Sequence, residues 1–122
     1  QERRPLPALA LTCNSSSVTA IGNDYGFDRI FPRGVEAPGR PGDPLIGIST
    51  SGTSRNVLAA AKVARTRNMA VVAMTGATPS DLSALADHVL NIPAESTPRI
   101  QEMHILVGHI ICDIVERHFS DS

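Results

Sequence analysis

The hydroxyl-rich break Ser49-Thr50-Ser51-Gly52-Thr53-Ser54 follows directly on the apolar run Leu45-Ile46-Gly47-Ile48 and precedes a helical pattern that opens at Arg55. Hydroxyls of Ser49, Ser51 and Ser54 set beside the unpaired N–H groups of a helix start would offer an anion hydrogen bonds and a favourable dipole together. That chemistry is phosphate binding, and it needs no lysine. GxGxxG is absent and no GK[ST] follows the second glycine, which removes the dinucleotide and P-loop forms of phosphate cradle. An ordinary capped connection between strand and helix would use the same residue types, so the cluster alone does not separate the two.

A second set of chemically able residues lies near the C-terminus. Gln101 and His109 share one apolar helical segment and are separated by about 80° around its axis and about 12 Å along it, so both reach one ligand only at full side-chain extension. A histidine titrating near neutrality can move protons, yet an apolar helix can equally carry a hydrogen-bonded histidine with no chemistry attached. A metal site needs three or four ligands, and this pair supplies two at most. His104 falls on the stripe of Ile100, Val107 and Ile111 and reads as a hydrogen-bonded core histidine. His88 and His118 stand near element ends and carry no functional expectation.

Positioning these groups falls to a repeating plan. Strand-length apolar segments recur at Leu6–Thr12, Pro44–Thr50, Met69–Gly76 and His88–Pro93. Between them the spacing predicts a helix over Arg55–Arg67, with Ser54 as its N-cap, and a short one from Pro79-Ser80-Asp81 to Ala86, capped by Ser80. Continuous apolar strands alternating with helices predict a parallel sheet covered on both faces. The first crossover is less regular: a helix around Ser17–Asn23, another from Phe27 toward Glu36, and a turn at Gly39–Asp43. Pro32, Gly34 and Pro38 predict a kink or early stop in the second, since an interior proline costs about 3 kcal/mol. Arg99–Phe119 is apolar almost all round, the mark of a helix buried under its own sheet or against another subunit.

Composition narrows the function. The chain has 122 residues, 42% hydrophobic and 19% charged with a formal net charge of −1, which suits one globular domain and offers no electrostatic case for nucleic acid. Aromatics are only 3%, with no tryptophan, so a sugar ligand would be gripped through polar contacts rather than stacking. No apolar run approaches the roughly 20 residues that span a bilayer, and the N-terminus lacks the apolar core of a signal peptide; the expected setting is cytoplasmic, without membrane contact. Cys13 and Cys112 have no CxxC partner and read as small core residues rather than a disulfide or thiolate metal site.

In order along the chain, Pro5-Leu6-Pro7-Ala8-Leu9-Ala10-Leu11-Thr12, Thr19-Ala20-Ile21-Gly22-Asn23-Asp24-Tyr25-Gly26, Arg40-Pro41-Gly42-Asp43, Gly47-Ile48-Ser49-Thr50-Ser51-Gly52 and Arg99-Ile100-Gln101-Glu102 through Gly108-His109-Ile110 resemble the phosphoheptose isomerase (sedoheptulose 7-phosphate isomerase) family of SIS, or sugar isomerase, domains. The resemblance covers nearly the whole chain. It implies an α/β fold with a doubly wound parallel sheet in flavodoxin-like order. It implies that Ser49, Thr50, Ser51 and Ser54 hold a substrate phosphate, that Asn23 and Asp24 line the substrate pocket, and that Gln101 and His109 face the active site. His109 would transfer protons, and Gln101 and His109 would contribute to a zinc site in metal-containing members. Members of the family begin with a helix and a first strand, then a helix carrying a histidine and a glutamate that complete the metal and acid/base set; none of these is present in this sequence. The chain is accordingly expected to be the C-terminal portion of a single SIS domain, lacking its N-terminal helix and first strand and unable to complete an active site alone. Thr53 also stands where asparagine is common.

Two functions follow from the likeness. One is an isomerase converting D-sedoheptulose 7-phosphate to D-glycero-D-manno-heptose 7-phosphate for nucleotide-activated heptose synthesis, as a homotetramer with shared active sites. The other is a non-catalytic SIS protein that binds sugar phosphate or a partner, as do relatives associated with replication initiation, a branch that Gln101-Glu102-Met103-His104 also resembles. Retention of His109 favours chemistry.

Overall fold

A computed structural model describes residues 3–77 and 79–120. Three parallel strands form its sheet in the order β1 (Pro44–Ile48), β2 (Ala70–Thr75), β3 (His88–Asn91). The register sets Ile46 beside Val72 and Val72 beside His88. The helices are α1 (Ser15–Tyr25), α2 (Ile30–Glu36), α3 (Arg55–Thr66), α4 (Asp81–Leu85) and α5 (Thr97–Ser120), with a 3₁₀ turn at Phe27–Arg29; the strand side chains Ile46, Ile48, Val89 and Leu90 remain exposed. The α/β class and the crossovers β1–α3–β2 and β2–α4–β3 agree with the sequence. None of the helices among the described residues is long and apolar enough to cross a membrane.

Local chemistry sets these boundaries. Asn14 caps α1 by accepting from the Ser17 N–H at 3.0 Å, and Gly26, at φ 90°, ends it; the helix therefore starts earlier than Ser17 and stops later than Asn23. Pro32 sits in the first turn of α2, where its missing N–H has no helical partner to lose. The expected kink is thus replaced by a clean restart after the 3₁₀ turn. Arg40-Pro41-Gly42-Asp43 closes a tight turn with Gly42 at φ 87° and the Asp43 N–H bonded to the Arg40 carbonyl at 3.0 Å. Ser80 caps α4 by accepting from the Ser83 N–H at 3.2 Å, as expected.

One sheet face packs on α3 and α4. Ala60, Ala61 and Ala64 bring α3 close to Val71 and Ala73, with Leu82 of α4 fully buried among them. Gly47 is part of this fit, since a Cβ there would lie 3.2 Å from Val57 Cγ1. The far end of α3 is tied to the start of β3: Arg65 donates to the Leu85 carbonyl at 3.2 Å and pairs with Asp87 at 3.1 Å, while the other Asp87 oxygen accepts from the Val71 N–H at 2.7 Å.

Two expectations are corrected. Leu6–Thr12 is not a strand: Pro7 removes a ladder donor, and the segment lies beside β1 across a cavity of about 430 Å³ lined by Leu9, Leu11, Phe31 and Ile46. Cys13 and Cys112 are exposed rather than in the core. Of the two settings expected for α5, its own sheet buries only Ile100 and His104 among the described residues, with Val107 and Ile111 half-buried and Ile114 60% exposed.

The Val71 N–H, and then Arg65, hold the Asp87 carboxyl below its ordinary value. A carboxylate favoured by folding adds stability above its unfolded pKa of about 3.9 and loses it as pH falls through the lower folded value. Asp87→Asn should therefore unfold at lower urea than the parent at pH 7, with the gap closing as pH drops below about 4. A gap independent of pH would contradict the charged lock.

Candidate functional site

The carboxyl ends of the strands deliver Ser49, Gly76 and Ile92 to one edge, the usual place for ligands in open parallel sheets. Ser49 prolongs β1, its N–H bonding to the Met74 carbonyl at 3.0 Å. The chain then turns sharply. The Gly52 N–H donates to both the Ser49 carbonyl (3.0 Å) and Ser49 Oγ (3.1 Å), and the Gly76 N–H donates to the Thr50 carbonyl at 3.0 Å. Gly52 adopts φ 67°, and a Cβ there would overlap the Ser80 side chain. This is a position for glycine on both counts.

Ser54 occupies the N-cap of α3 but makes no capping bond. Its Oγ instead meets Ser49 Oγ at 2.9 Å. A cap contributes about 1 kcal/mol, and here that hydroxyl is diverted. Among the described residues no acceptor meets the Arg55 or Asn56 N–H; Leu58 makes the first helical bond, to the Ser54 carbonyl at 2.9 Å. The result is a helix start with free donors beside a buried Ser49 and an exposed Ser51, whose Oγ accepts from Thr53 Oγ1 at 3.0 Å.

Facing this start is an open depression of about 670 Å³, walled by Tyr25, Gly26, Phe27 and Asp28 on one side and Thr53, Ser54, Arg55 and Asn56 on the other. Arg55 forms an ion pair with Asp28 that bridges the walls. Asn23 and Asp24 occupy the exposed last turn of α1, just before this wall, and bond each other at 2.9 Å. Sequence reasoning missed Asp28, Arg55 and Asn56. No local pattern links Asp28 to Arg55 across the intervening chain, but the buried Asn56 stands out as a polar residue in the first turn of a helix that otherwise opens on Val57 and Leu58.

Gln101 and His109 are both exposed on α5 and have no hydrogen-bonding partner among the described residues. Helix α5 meets the edge through His104, whose Nε2 lies 3.2 Å from the Thr75 carbonyl, and through Ile100 against Gly76. The core-histidine reading of His104 holds for Nε2; Nδ1 is buried without a partner. No group of three His, Cys, Asp or Glu side chains able to hold a metal occurs among the described residues. Gln101 and His109 thus do not make a metal site by themselves.

A family model described as "SIS domain" matches residues 1–76. Phosphoheptose isomerase of Rhodospirillum rubrum is 52% identical over 116 residues, covering 95% of this chain and 62% of that protein. That of Roseiflexus sp. is 55% identical over 117 residues, covering 96% and 59%. The chain thus spans about three fifths of the length of these relatives. Among solved structures, a phosphoheptose isomerase from Francisella tularensis superposes with a TM-score of 0.91 at 42% identity, over 94% of this chain and 62% of that one. The enzyme from Neisseria gonorrhoeae gives 0.86 at 50%, over 89% and 61%.

If the junction binds an anion, Ser51→Ala should weaken phosphate binding by about 1–3 kcal/mol, measured by calorimetry, with the fold unchanged by circular dichroism. Unchanged affinity would count against the hydroxyl's contact.

Proposed function

Since the chain belongs to the phosphoheptose isomerase family of SIS domains, we propose that it forms the phosphate-gripping and proton-transferring part of an isomerase converting D-sedoheptulose 7-phosphate to D-glycero-D-manno-heptose 7-phosphate. The chain is the C-terminal portion of one SIS domain in this reading. The observation that carries it is the start of α3, where Ser54 bonds Ser49 instead of capping, Asn56 Oδ1 accepts the Val57 N–H, and the Arg55 and Asn56 N–H groups are left to an anion. Ser49, Thr50, Ser51 and Ser54 hold the phosphate. Asn23 and Asp24 orient the sugar hydroxyls, and Gln101 binds the reacting end.

The reaction neither gains nor loses an atom. A proton leaves C1 of the ketose while O2 gains one, giving an enediol; a proton then joins C2 while O1 loses one. His109 accepts the carbon-bound proton and returns a proton to the neighbouring carbon. Gripping the remote phosphate holds C1 and C2 in place for that exchange.

Gln101 and His109 offer an amide oxygen and an imidazole to zinc, and a bound zinc ion would polarise the sugar oxygens. They fill at most half of a four-ligand shell, so the remaining ligands come from elsewhere in the assembly. The exposed Ile105, Leu106, Ile110 and Ile114 of α5 support a homotetramer with shared sites. Phosphorylated sugar substrates suit a cytoplasmic enzyme.

The test is turnover of sedoheptulose 7-phosphate, with and without zinc, by the protein in its native assembly. His109→Gln should lower kcat by about 10²- to 10⁴-fold with little change in KM. A parent that binds the sugar phosphate and turns none over would replace this reading with the non-catalytic SIS protein.

A further inference from the structure

We propose that His104 is a positioning residue that clamps α5 to the carboxyl edge of the sheet and so aims Gln101 and His109 at the phosphate junction; the inference rests on the isomerase reading for its chemistry and on geometry for its mechanics. Of the described α5 side chains only Ile100 and His104 are buried, one helical turn apart. Both land on the end of β2: Ile100 against Gly76, and His104 Nε2 at 3.2 Å from the Thr75 carbonyl. A carbonyl only accepts, so Nε2 carries the proton and donates.

The same corner belongs to the junction. The Gly76 N–H bonds the Thr50 carbonyl at 3.0 Å, and Thr75, fully buried, donates from Oγ1 to Asn91 Oδ1 at 2.7 Å. The clamp therefore fastens α5 to the residue next to the cradle's own anchor. At about 100° and 1.5 Å per residue, Gln101 and His109 lie about 60° and 140° to the same side of His104, and His109 is about 7.5 Å further along the axis. A pivot of about 10° at His104 would carry the imidazole about 1 Å, and a displacement of that size costs on the order of 10²-fold in rate. Beyond these two, Val107, Ile111 and Phe119 are only half-buried and most other α5 side chains are exposed, so Ile100 and His104 supply its fully buried contacts.

Removing the imidazole leaves no orphaned partner. The Thr75 carbonyl also accepts from the Ile92 N–H at 3.0 Å, and the substitution discards the buried, unpartnered Nδ1. His104→Leu should therefore fold while losing the directional bond. His104→Gln keeps an N–H near the position of Nε2, whereas His104→Asn keeps polarity but falls short of Thr75.

Two measurements on the protein in its native assembly decide the matter. The first is steady-state isomerisation of the ketose phosphate: His104→Leu and His104→Asn should lose about 10- to 100-fold in kcat at unchanged KM and unchanged affinity for inorganic phosphate, and His104→Gln should recover most of it. The second is the distance distribution between spin labels on the exposed thiols of Cys13 and Cys112, narrow in the parent and His104→Gln and broadened in the other two. If His104→Leu does not fold, His104→Asn against His104→Gln carries the same comparison. The clamp is overturned if kcat is retained, if the loss falls in KM, if glutamine fails to rescue, or if the distances stay narrow. A parent without turnover sinks the isomerase reading instead, and the label distances alone then judge the clamp.

Discussion

A single hydroxyl pair governs this molecule: Ser54, placed to cap α3, turns its Oγ to Ser49 and leaves the helix start open. The capping energy forgone is about 1 kcal/mol, small beside the several kcal/mol that charge-assisted hydrogen bonds return when an anion arrives. The surrounding structure maintains the exchange. Gly52 makes a turn with positive φ against Ser80, and the Gly76 N–H pins Thr50 from the next strand. Shape at the junction is set by these backbone bonds together with the Ser49–Ser54 hydroxyl pair and the Gly52 N–H bond to Ser49 Oγ.

Much of this was legible from residue types. The strands after Pro44 and helices α3 and α4 follow from local patterns that carry their own partners: an apolar run, a serine cap and an alanine-lined helix face. Leu6–Thr12 has the composition of a strand, but a strand exists only through its neighbour, and Pro7 weakens the claim. Composition likewise cannot say what covers an apolar side chain. Cys112 and Ile114 sit among apolar neighbours in sequence and are nevertheless exposed, as is Cys13. The bridge from Asp28 to Arg55 was invisible because the fold alone brings the two together.

The candidate site divides into parts held with different firmness. The Ser49–Ser54 junction is built into the sheet edge by backbone hydrogen bonds, whereas Gln101 and His109 stand on a helix whose only fully buried side chains are Ile100 and His104. In the proposed isomerase, phosphate binding and proton transfer would thereby rest on separate elements.

The central claim is that the open start of α3 binds phosphate through its own N–H groups, and titration of isotope-labelled protein with inorganic phosphate tests it most directly. The amide resonances of Arg55 and Asn56 should move together with those of Ser51 to Ser54 along one saturable curve. Resonances that stay still there while others shift, or a response that never saturates, would contradict it.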